Sequence, residues 1–423
     1  MSVTAIEVNR IPVVMSVDAH FITPLKVAVY SICENCEDRN IDLTILCAPD
    51  LGEPEKNRVY ELCDHFSNLT IRFYCIEPED FKYATTFAHF TLATFYRLAI
   101  MDIIPDDKCL YLDGDMVIRA NIKELYDLDI SEYYVAGARD NGFSVTPEYL
   151  LRHCEQCGID NVSHYINAGV LVINLSRLRK AGLKEKFFEE TKTPYPFVDQ
   201  DILNKVCVGG IKLLDWRYDY INRYQLSEVD WELEGEWKII HYAGRYKPWK
   251  HLRLRGADIW WEYARKALEK DVFDALLKEA ERNARENDWS YYVDRCRDEE
   301  RIVIIGYTSI GLDLAGSLKK CGIKGKISFA DNSERKQKMG NAPFQVFSVP
   351  QMIRETEDAV WIIASQNYVG EIKQQLMENG ISEGRIITYL RKPEDYYRCI
   401  EDKHLSHELE EYYYKRTGCR TNR

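Results

Sequence analysis

The sequence lacks several things, and each absence removes a class of protein. Its 423 residues contain no run approaching the ~18 apolar residues of a membrane span. The opening MSVTAIEVNRIPVVMSV has no basic segment followed by an apolar core and a small-residue cleavage site, so no signal peptide is expected. Positive charge is in deficit: 56 Lys and Arg face 68 Asp and Glu, a net charge of -12. That argues against general nucleic-acid binding and against an anionic membrane surface, but not against a local basic pocket for a phosphorylated ligand. There is no Gly-x-Ser-x-Gly, no Walker motif and no internal repeat, and no cysteine stands out as a nucleophile. The thirteen cysteines are spread over a long chain, so they read as reduced thiols in a cytosolic protein. Two C-x-x-C pairs, Cys33/Cys36 and Cys154/Cys157, have the spacing of a Cys₄ zinc site. Cys33 and Cys36 fall within an apolar helical stretch, which is poor geometry for a zinc knuckle.

What is present is enough for two cores. A chain of this length exceeds one ordinary core, 46% of it is hydrophobic, and 29% is charged. The pattern divides into an α/β domain over 1–257, a helical linker over 258–297, a second α/β domain over 298–390 and a polar, tyrosine-rich tail over 391–423 with no assigned role.

In the first domain, IPVVMSVD (11–18), IDLTILCA (41–48) and LTIRFYCI (69–76) read as strands, with helices near 24–36 and 54–66 between them. Such alternation implies a largely parallel sheet sandwiched by helices, with ligands at the carboxyl ends of its strands. Asp18 falls at one such end. FTLATFYRLAIMDII (90–104) reads as a helix carrying a single Arg, Arg97, which either snorkels to the surface or meets a phosphate or carboxylate. YYVAGARD (133–140) is a strand ending in Asp140, and HYINAGVLVINL (164–175) is a Gly-interrupted turn leading into an apolar strand. In FVDQDILNKV (197–206), Asp199, Gln200 and Asp201 sit at a helix start, where acids serve as capping groups.

The most informative stretch is CLYLDGDMVI (109–118). A short apolar strand stops at Asp113 and Asp115, which delivers two hard oxygen ligands to one place, and Gly114 keeps that place open. Such ligands suit Mg²⁺ or Mn²⁺, ions that carry diphosphates. Asp-Gly is also a plain turn signal. KIIHYAGRYKPWKHLRLRG (238–256) holds His241, Arg245, Lys247, Lys250, His251, Arg253 and Arg255, with Gly244 and Pro248 marking a loop. In an acidic protein this basic loop suits a diphosphate, and His241 is a candidate third metal ligand. In the second domain, RIVIIGYTSIGLDLAG reads as strand, turn and helix, with Asp331 ending the next strand. Gly306 and Gly311 of a dinucleotide fingerprint are present, but Thr308 stands at its middle Gly, so a binding or docking module is expected rather than NAD chemistry.

Taken in order, VVMSVDAHF, ATFYRL, YLDGDMVI, YINAGVLVINL, DQDILN and HYAGRYKPW resemble the motifs of glycosyltransferase family 8, over roughly 10–255. The resemblance implies a GT-A fold, a retaining hexosyl transfer (glucose or galactose) from a UDP-sugar, and Mn²⁺ with Mg²⁺ as an alternative. It implies that Asp113, Asp115 and His241 ligate the metal, and that Gly244 and Lys247 hold the phosphates. Ser16 and Asp18 would meet the nucleoside, with Gly114 near the ribose. Arg97, Asp140, Asn167, Ala168 and Asp199 would bind the donor sugar, and Gln200 would lie by the anomeric carbon, making Gln200, Asp140 and Asp199 the catalytic candidates. Two positions depart from the pattern: His20 replaces a usual Asn, and Gly114 a commonly apolar residue. The 301–390 module resembles Rossmann-like domains attached to sugar-modifying enzymes. The partners implied are a nucleotide-sugar donor and a carbohydrate or lipid-linked glycan acceptor. No nucleic acid and no integral membrane contact are expected, a homo-oligomer is left open, and the expected location is cytoplasmic or peripheral at the inner membrane face. Two rival readings remain: a haloacid-dehalogenase-like phosphohydrolase with Asp113 as nucleophile, and a non-catalytic nucleotide-sugar-binding protein.

Overall fold

The computed structural model describes residues 10–84, 91–140, 147–160, 162–221, 236–244, 247–252, 254, 256–286, 289–338, 344–356, 358–365 and 368–389. Its contacts divide the chain into a unit ending at Leu277 and a unit over Lys278–Tyr396. The expected tail, and Arg245, Arg253 and Arg255 of the basic loop, lie outside the described residues. Among those residues no helix is long and apolar enough to cross a membrane.

The first unit is built on strands β1 (Arg10–Val17), β2 (Asn40–Cys47), β3 (Leu69–Cys75), β4 (Lys108–Leu112), β5 (Met116–Ile118), β6 (Val135–Arg139), β7 (Ile166–Asn174), β8 (Ile211–Leu214), β9 (Tyr220–Ile221) and β10 (Ile239–His241). Seven of them form one sheet in the order β3-β2-β1-β4-β7-β6-β8. Every pairing in it is parallel except those of β7, which runs antiparallel to β4 and β6. The central strands are buried on both faces, as their unbroken apolar runs require. Val14 and Tyr111 point into one core, which holds Phe95, Ile166 and Ile202; Val13, Met15, Leu110 and Leu112 point into the other, with Leu25 and Ile32. Full burial of one such aliphatic side chain is worth about 1.5–3 kcal/mol. Cys33 and Cys36 belong to one core and Cys154 and Cys157 to the other, so the two C-x-x-C pairs do not meet.

Three local expectations change. The stretch read as one helix over 90–104 is a 3₁₀ helix, Leu92–Ala99, followed by a single α-turn, Ile100–Ile103. Residues 95–99 are all buried, which leaves no solvent face for a regular amphipathic helix. Arg97 therefore does not snorkel: only 9% of it is exposed. The Gly-interrupted turn expected to open the stretch 164–175 is already strand from Ile166, and Gly169 lies inside β7. The expected linker contains three helices, Ala257–Ala267, Lys270–Glu286 and Trp289–Cys296. The first buries Trp260, Trp261 and Tyr263 in the first unit, where the Tyr263 hydroxyl receives a hydrogen bond from Asn35 at 2.9 Å. The third belongs to the second unit, with Tyr292 donating to the Thr388 carbonyl at 2.9 Å.

The second unit is a five-stranded parallel sheet of β11 (Arg301–Ile305), β12 (Lys326–Ala330), β13 (Val346–Phe347), β14 (Val360–Ile363) and β15 (Ile386–Thr388), ordered β13-β12-β11-β14-β15. Gly306 has φ +111, and a side chain there would meet the Ala364 carbonyl at 2.7 Å. At Gly311 a Cβ would lie 2.4 Å from the Gly306 carbonyl, so tight strand–helix packing demands glycine there. Thr308 caps the helix Ser309–Lys320, its hydroxyl accepting from Gly311 N at 3.2 Å. The Asp331 carboxylate accepts from Tyr307 N, Ser333 N and Lys336.

Candidate active site

A second, smaller sheet carries the site. Its order is β5-β10-β9, with β10 antiparallel to β5 and parallel to β9. The chain leaves β4, passes Asp113-Gly114-Asp115 and enters β5, whose first residue, Met116, is paired with His241, the last of β10. Tyr242 N then donates to the Asp115 carbonyl at 2.9 Å. The antiparallel register therefore sets His241 beside the acidic pair. Its Nε2 lies 3.4 Å from Asp115 Oδ1 and 3.8 Å from Asp113 Oδ2. One ligand atom from each of the three residues falls within 4.8 Å of the other two.

Gly169 makes room for this imidazole. Asp113 N donates to its carbonyl at 2.9 Å, and a Cβ on Gly169 would sit 2.3 Å from His241 Cε1. The other ring nitrogen, Nδ1, lies 2.9 Å from Oδ1 of Asp219, a fully buried carboxylate just before β9. Asp219 was not foreseen. It stands in DWRYDY, which has no periodicity, and the two-residue strand that aligns it with β10 leaves no sequence signal. Such a carboxylate fixes which ring nitrogen carries the proton and turns the other toward a ligand.

Burial disfavours the imidazolium, but Asp115 and Asp219 outweigh it and push the His241 pKa up to about 10. Burial likewise disfavours the Asp115 carboxylate, yet Lys247 and His241 hold it well below the usual range. Lys247 Nζ reaches Asp115 Oδ2 and donates to the Tyr242 carbonyl at 2.8 Å. The donor set of two carboxylates and one oriented imidazole suits a divalent cation, with hard oxygens in the majority.

Arg97 joins this group to a second. It reaches Asp113 Oδ1 at 2.9 Å and the Ala168 carbonyl, and its guanidinium lies 4.3 Å from the centre of the Tyr111 ring. Arg97 Nε also lies 2.7 Å from Asp199 Oδ2, but its N–H is directed at the Thr94 carbonyl, so Asp199 gains a nearby charge without a hydrogen bond. Burial dominates there and pushes the Asp199 pKa up to about 7, against the pull of Arg97. Asp140, the residue after β6, accepts at Oδ2 from Gln200 Nε2 (2.8 Å) and Asn167 Nδ2 (3.2 Å). Gln200 Oε1 in turn accepts from Asn167 Nδ2 (3.0 Å) and Ala168 N (3.2 Å). Because β7 is antiparallel, its first residues lie at the same sheet edge as the ends of β4 and β6. Val198, before Asp199, has φ +41, a strained value for a β-branched residue, worth of order 1–3 kcal/mol.

The remaining sequence candidates are placed as follows. Ser16 is half-buried in β1, and Asp18 follows that strand, accepting from His20 N at 2.9 Å and from the Thr91 hydroxyl at 3.0 Å. Gly114 has only ordinary contacts ahead of a Cβ, 3.6 Å from Leu25, so the fold itself does not demand glycine there. Gly244 has φ +83, which glycine adopts without strain. Asp201, read as a capping acid, does accept from Phe197 N at 2.9 Å, but its other oxygen faces His153 and Tyr165.

The mixed, mostly parallel sheet thus carries an acidic, histidine-bearing edge at its strand ends. LgtC, a galactosyltransferase solved with donor and acceptor sugar analogues, shares this fold at TM-score 0.52 and 25% identity, over 62% of this chain and 98% of that one. The bifunctional glycosyltransferase WbbM shares the fold at TM-score 0.55 and 22% identity, over 64% of this chain and 52% of its own. The chain belongs to glycosyl transferase family 8, whose family model matches residues 12–253. Among its relatives, the lipopolysaccharide 1,3-galactosyltransferase of Salmonella typhimurium is 25% identical over 57% of this chain and 74% of that protein. The lipopolysaccharide 1,2-glucosyltransferase of Escherichia coli is 28% identical over 55% and 71%. Residues 297–403 match a second model, that of the acetohydroxy acid isomeroreductase NADPH-binding domain, in keeping with a Rossmann-like second unit.

Proposed function

We propose that this glycosyltransferase moves a hexose, glucose or galactose, from a UDP-sugar to a glycan or glycoconjugate acceptor, carbohydrate or lipid-linked, with retention at the anomeric carbon, on a GT-A fold. Mn²⁺ is the proposed ion, with Mg²⁺ the alternative. The observation that carries the reading is the convergence of His241 and Lys247 on Asp115, beside Asp113. Asp113, Asp115 and His241 would hold the ion, which when bound supplies positive charge against the leaving diphosphate. The Lys247 ammonium adds to that charge, and Gly244 allows its loop to close on the phosphates. Asp18 and Ser16 would meet the nucleoside, with Gly114 opening the ribose side.

Arg97, tied to Asp113 and close to Asp199, and the Asp140–Asn167–Gln200 group would surround the sugar. Asp140, and Asp199 when ionised, would supply negative charge to an oxocarbenium-like centre. Gln200 Oε1 already accepts two hydrogen bonds, which supports attack from the leaving-group face over covalent displacement through Gln200.

The test is a panel of UDP-sugars with Mn²⁺, scored for UDP release with and without glycan acceptors, with the product anomer read by NMR. Acceptor-stimulated release with a retained anomer is expected. Inversion removes the proposed stereochemistry. Tight UDP binding without turnover would favour a non-catalytic binding protein, and a phosphoenzyme trapped on Asp113 would favour a phosphohydrolase. The Asp113 Oδ1 atom accepts from both Arg97 and Tyr111.

A further inference from the structure

Behind the proposed sugar site lies a buried polar chain that the transfer chemistry does not use. Asp201 and Tyr165 are fully buried, and His153 nearly so. His153, on the helix Pro147–Cys157, places Nε2 at 2.7 Å from Asp201 Oδ1. Tyr165 donates to the same oxygen at 2.5 Å. Gln200 Nε2 donates to the Tyr165 hydroxyl at 3.2 Å and to Asp140 at 2.8 Å.

We infer that His153, Asp201 and Tyr165 are positioning residues, a hydrogen-bonded chain that locks the Gln200 amide and through it Asp140; the inference rests on the sugar-site reading above. The Gln200 orientation is unambiguous, because Ala168 N can only donate and so faces Oε1. Both Nε2 hydrogens are then assigned, one to Asp140 and one to Tyr165. The Tyr165 hydroxyl accepts from Gln200 because its own proton is given to Asp201. Burial, with Asp201 beside it, raises the Tyr165 pKa well above its ordinary value, which keeps that proton in place. Asp201 also holds the strained turn: Oδ2 accepts from Phe197 N, immediately before Val198 at φ +41. One carboxylate thus fixes both the backbone that presents Asp199 and Gln200 and the side chain of Gln200.

His153, Cys157 and Asp201 also have the composition of a metal site. The geometry favours the hydrogen-bonded chain. Two ligands ~2.0–2.2 Å from a shared tetrahedral ion stand roughly 3.3 Å apart, whereas His153 and Asp201 are 2.7 Å apart. Asp201 already has three donors on its two oxygens.

The experiment uses the full chain and the Tyr165→Phe, His153→Leu and His153→Gln variants, the last retaining a donor for Asp201. In Tyr165→Phe, kcat should fall roughly 10- to 100-fold, with KM for the donor and Kd for UDP with Mn²⁺ unchanged. The side-chain NH₂ resonances of Gln200, assigned by their loss in Gln200→Ala, should shift and exchange faster with water. His153→Gln should recover most of the kcat that His153→Leu loses. Wild-type kcat and unchanged Gln200 resonances in Tyr165→Phe overturn the inference, as do equal losses in the two His153 variants. If Tyr165→Phe does not fold, the His153 pair decides by the same readouts. If the wild-type chain turns over no UDP-sugar, the functional proposal fails, while the Gln200 resonances still decide whether the chain of hydrogen bonds holds the amide.

Discussion

Among the described residues, the first unit holds two histidine–carboxylate clusters of similar composition and opposite character. Asp113, Asp115 and His241 gather at the edge of the sheet, with 24% of the Asp113 side chain exposed. His153, Cys157 and Asp201 gather inside, where nothing exceeds 6% exposure. In the outer cluster one atom of each carboxylate and of His241 lies within 4.8 Å of the others, with Asp219 at the far ring nitrogen. In the inner cluster the carboxylate is spent on Tyr165, His153 and Phe197 N. Residue types alone do not make a cation site; lone pairs aimed at a common point do. What separates the clusters is which hydrogen bonds surround them.

Asp115→Asn should break that contrast most. Removing a carboxylate that takes both His241 and Lys247 should lower transfer by about 10²–10³-fold, measured as acceptor-dependent UDP release, with Mn²⁺ affinity by calorimetry falling alongside. Wild-type affinity in this variant removes the metal assignment. Asp219→Ala should have the next effect, a loss of roughly 10- to 100-fold in Mn²⁺ affinity, because His241 loses the partner that orients it. Asp201→Asn should sharpen the contrast from the other side. Mn²⁺ affinity should stay at the wild-type value while a lowered melting temperature reports about 1–3 kcal/mol of lost stability. A drop in Mn²⁺ affinity there would mean the two clusters are not independent.

The smallest effect lies outside both clusters. Lys26, 2% exposed, is bound by Glu61 and Glu269. Burial opposes the Glu269 charge, but Lys26 outweighs it and lowers the Glu269 pKa to about 2. A depressed carboxylate stabilises the fold fully above its unfolded value of about 4.3, and the contribution disappears as the pH falls toward 2. Glu269→Gln should therefore flatten the melting-temperature decline across that window by an amount worth under about 1 kcal/mol, since the group is partly exposed. An unchanged slope would show that Glu61 alone holds Lys26.

The sequence carried the outer cluster better than the inner one. Asp113 and Asp115 end a strand whose apolar run marks it, and His241 ends another, so each was legible from its own neighbourhood. Their meeting depended on β5, β9 and β10, strands of two or three residues that no periodicity can mark. That is why Asp219 went unseen. Arg97 was ambiguous because an Arg in an apolar stretch reads the same whether its charge ends in water or, as here, against two aspartates. Asp201 looked like a capping acid and is one, but its second oxygen serves contacts with partners 48 and 36 residues away, which only the fold reveals.

The register of β5 against β10 also bears on how the molecule comes into being. Lys247 and Asp115 meet across 132 residues of chain, the large sheet being complete in sequence well before β10 is reached. Closing so long a loop costs entropy that local contacts do not repay. A chain that stops short of residue 239 has the sequence of all seven strands and both acids but lacks His241 and Lys247, so no transfer is expected from it.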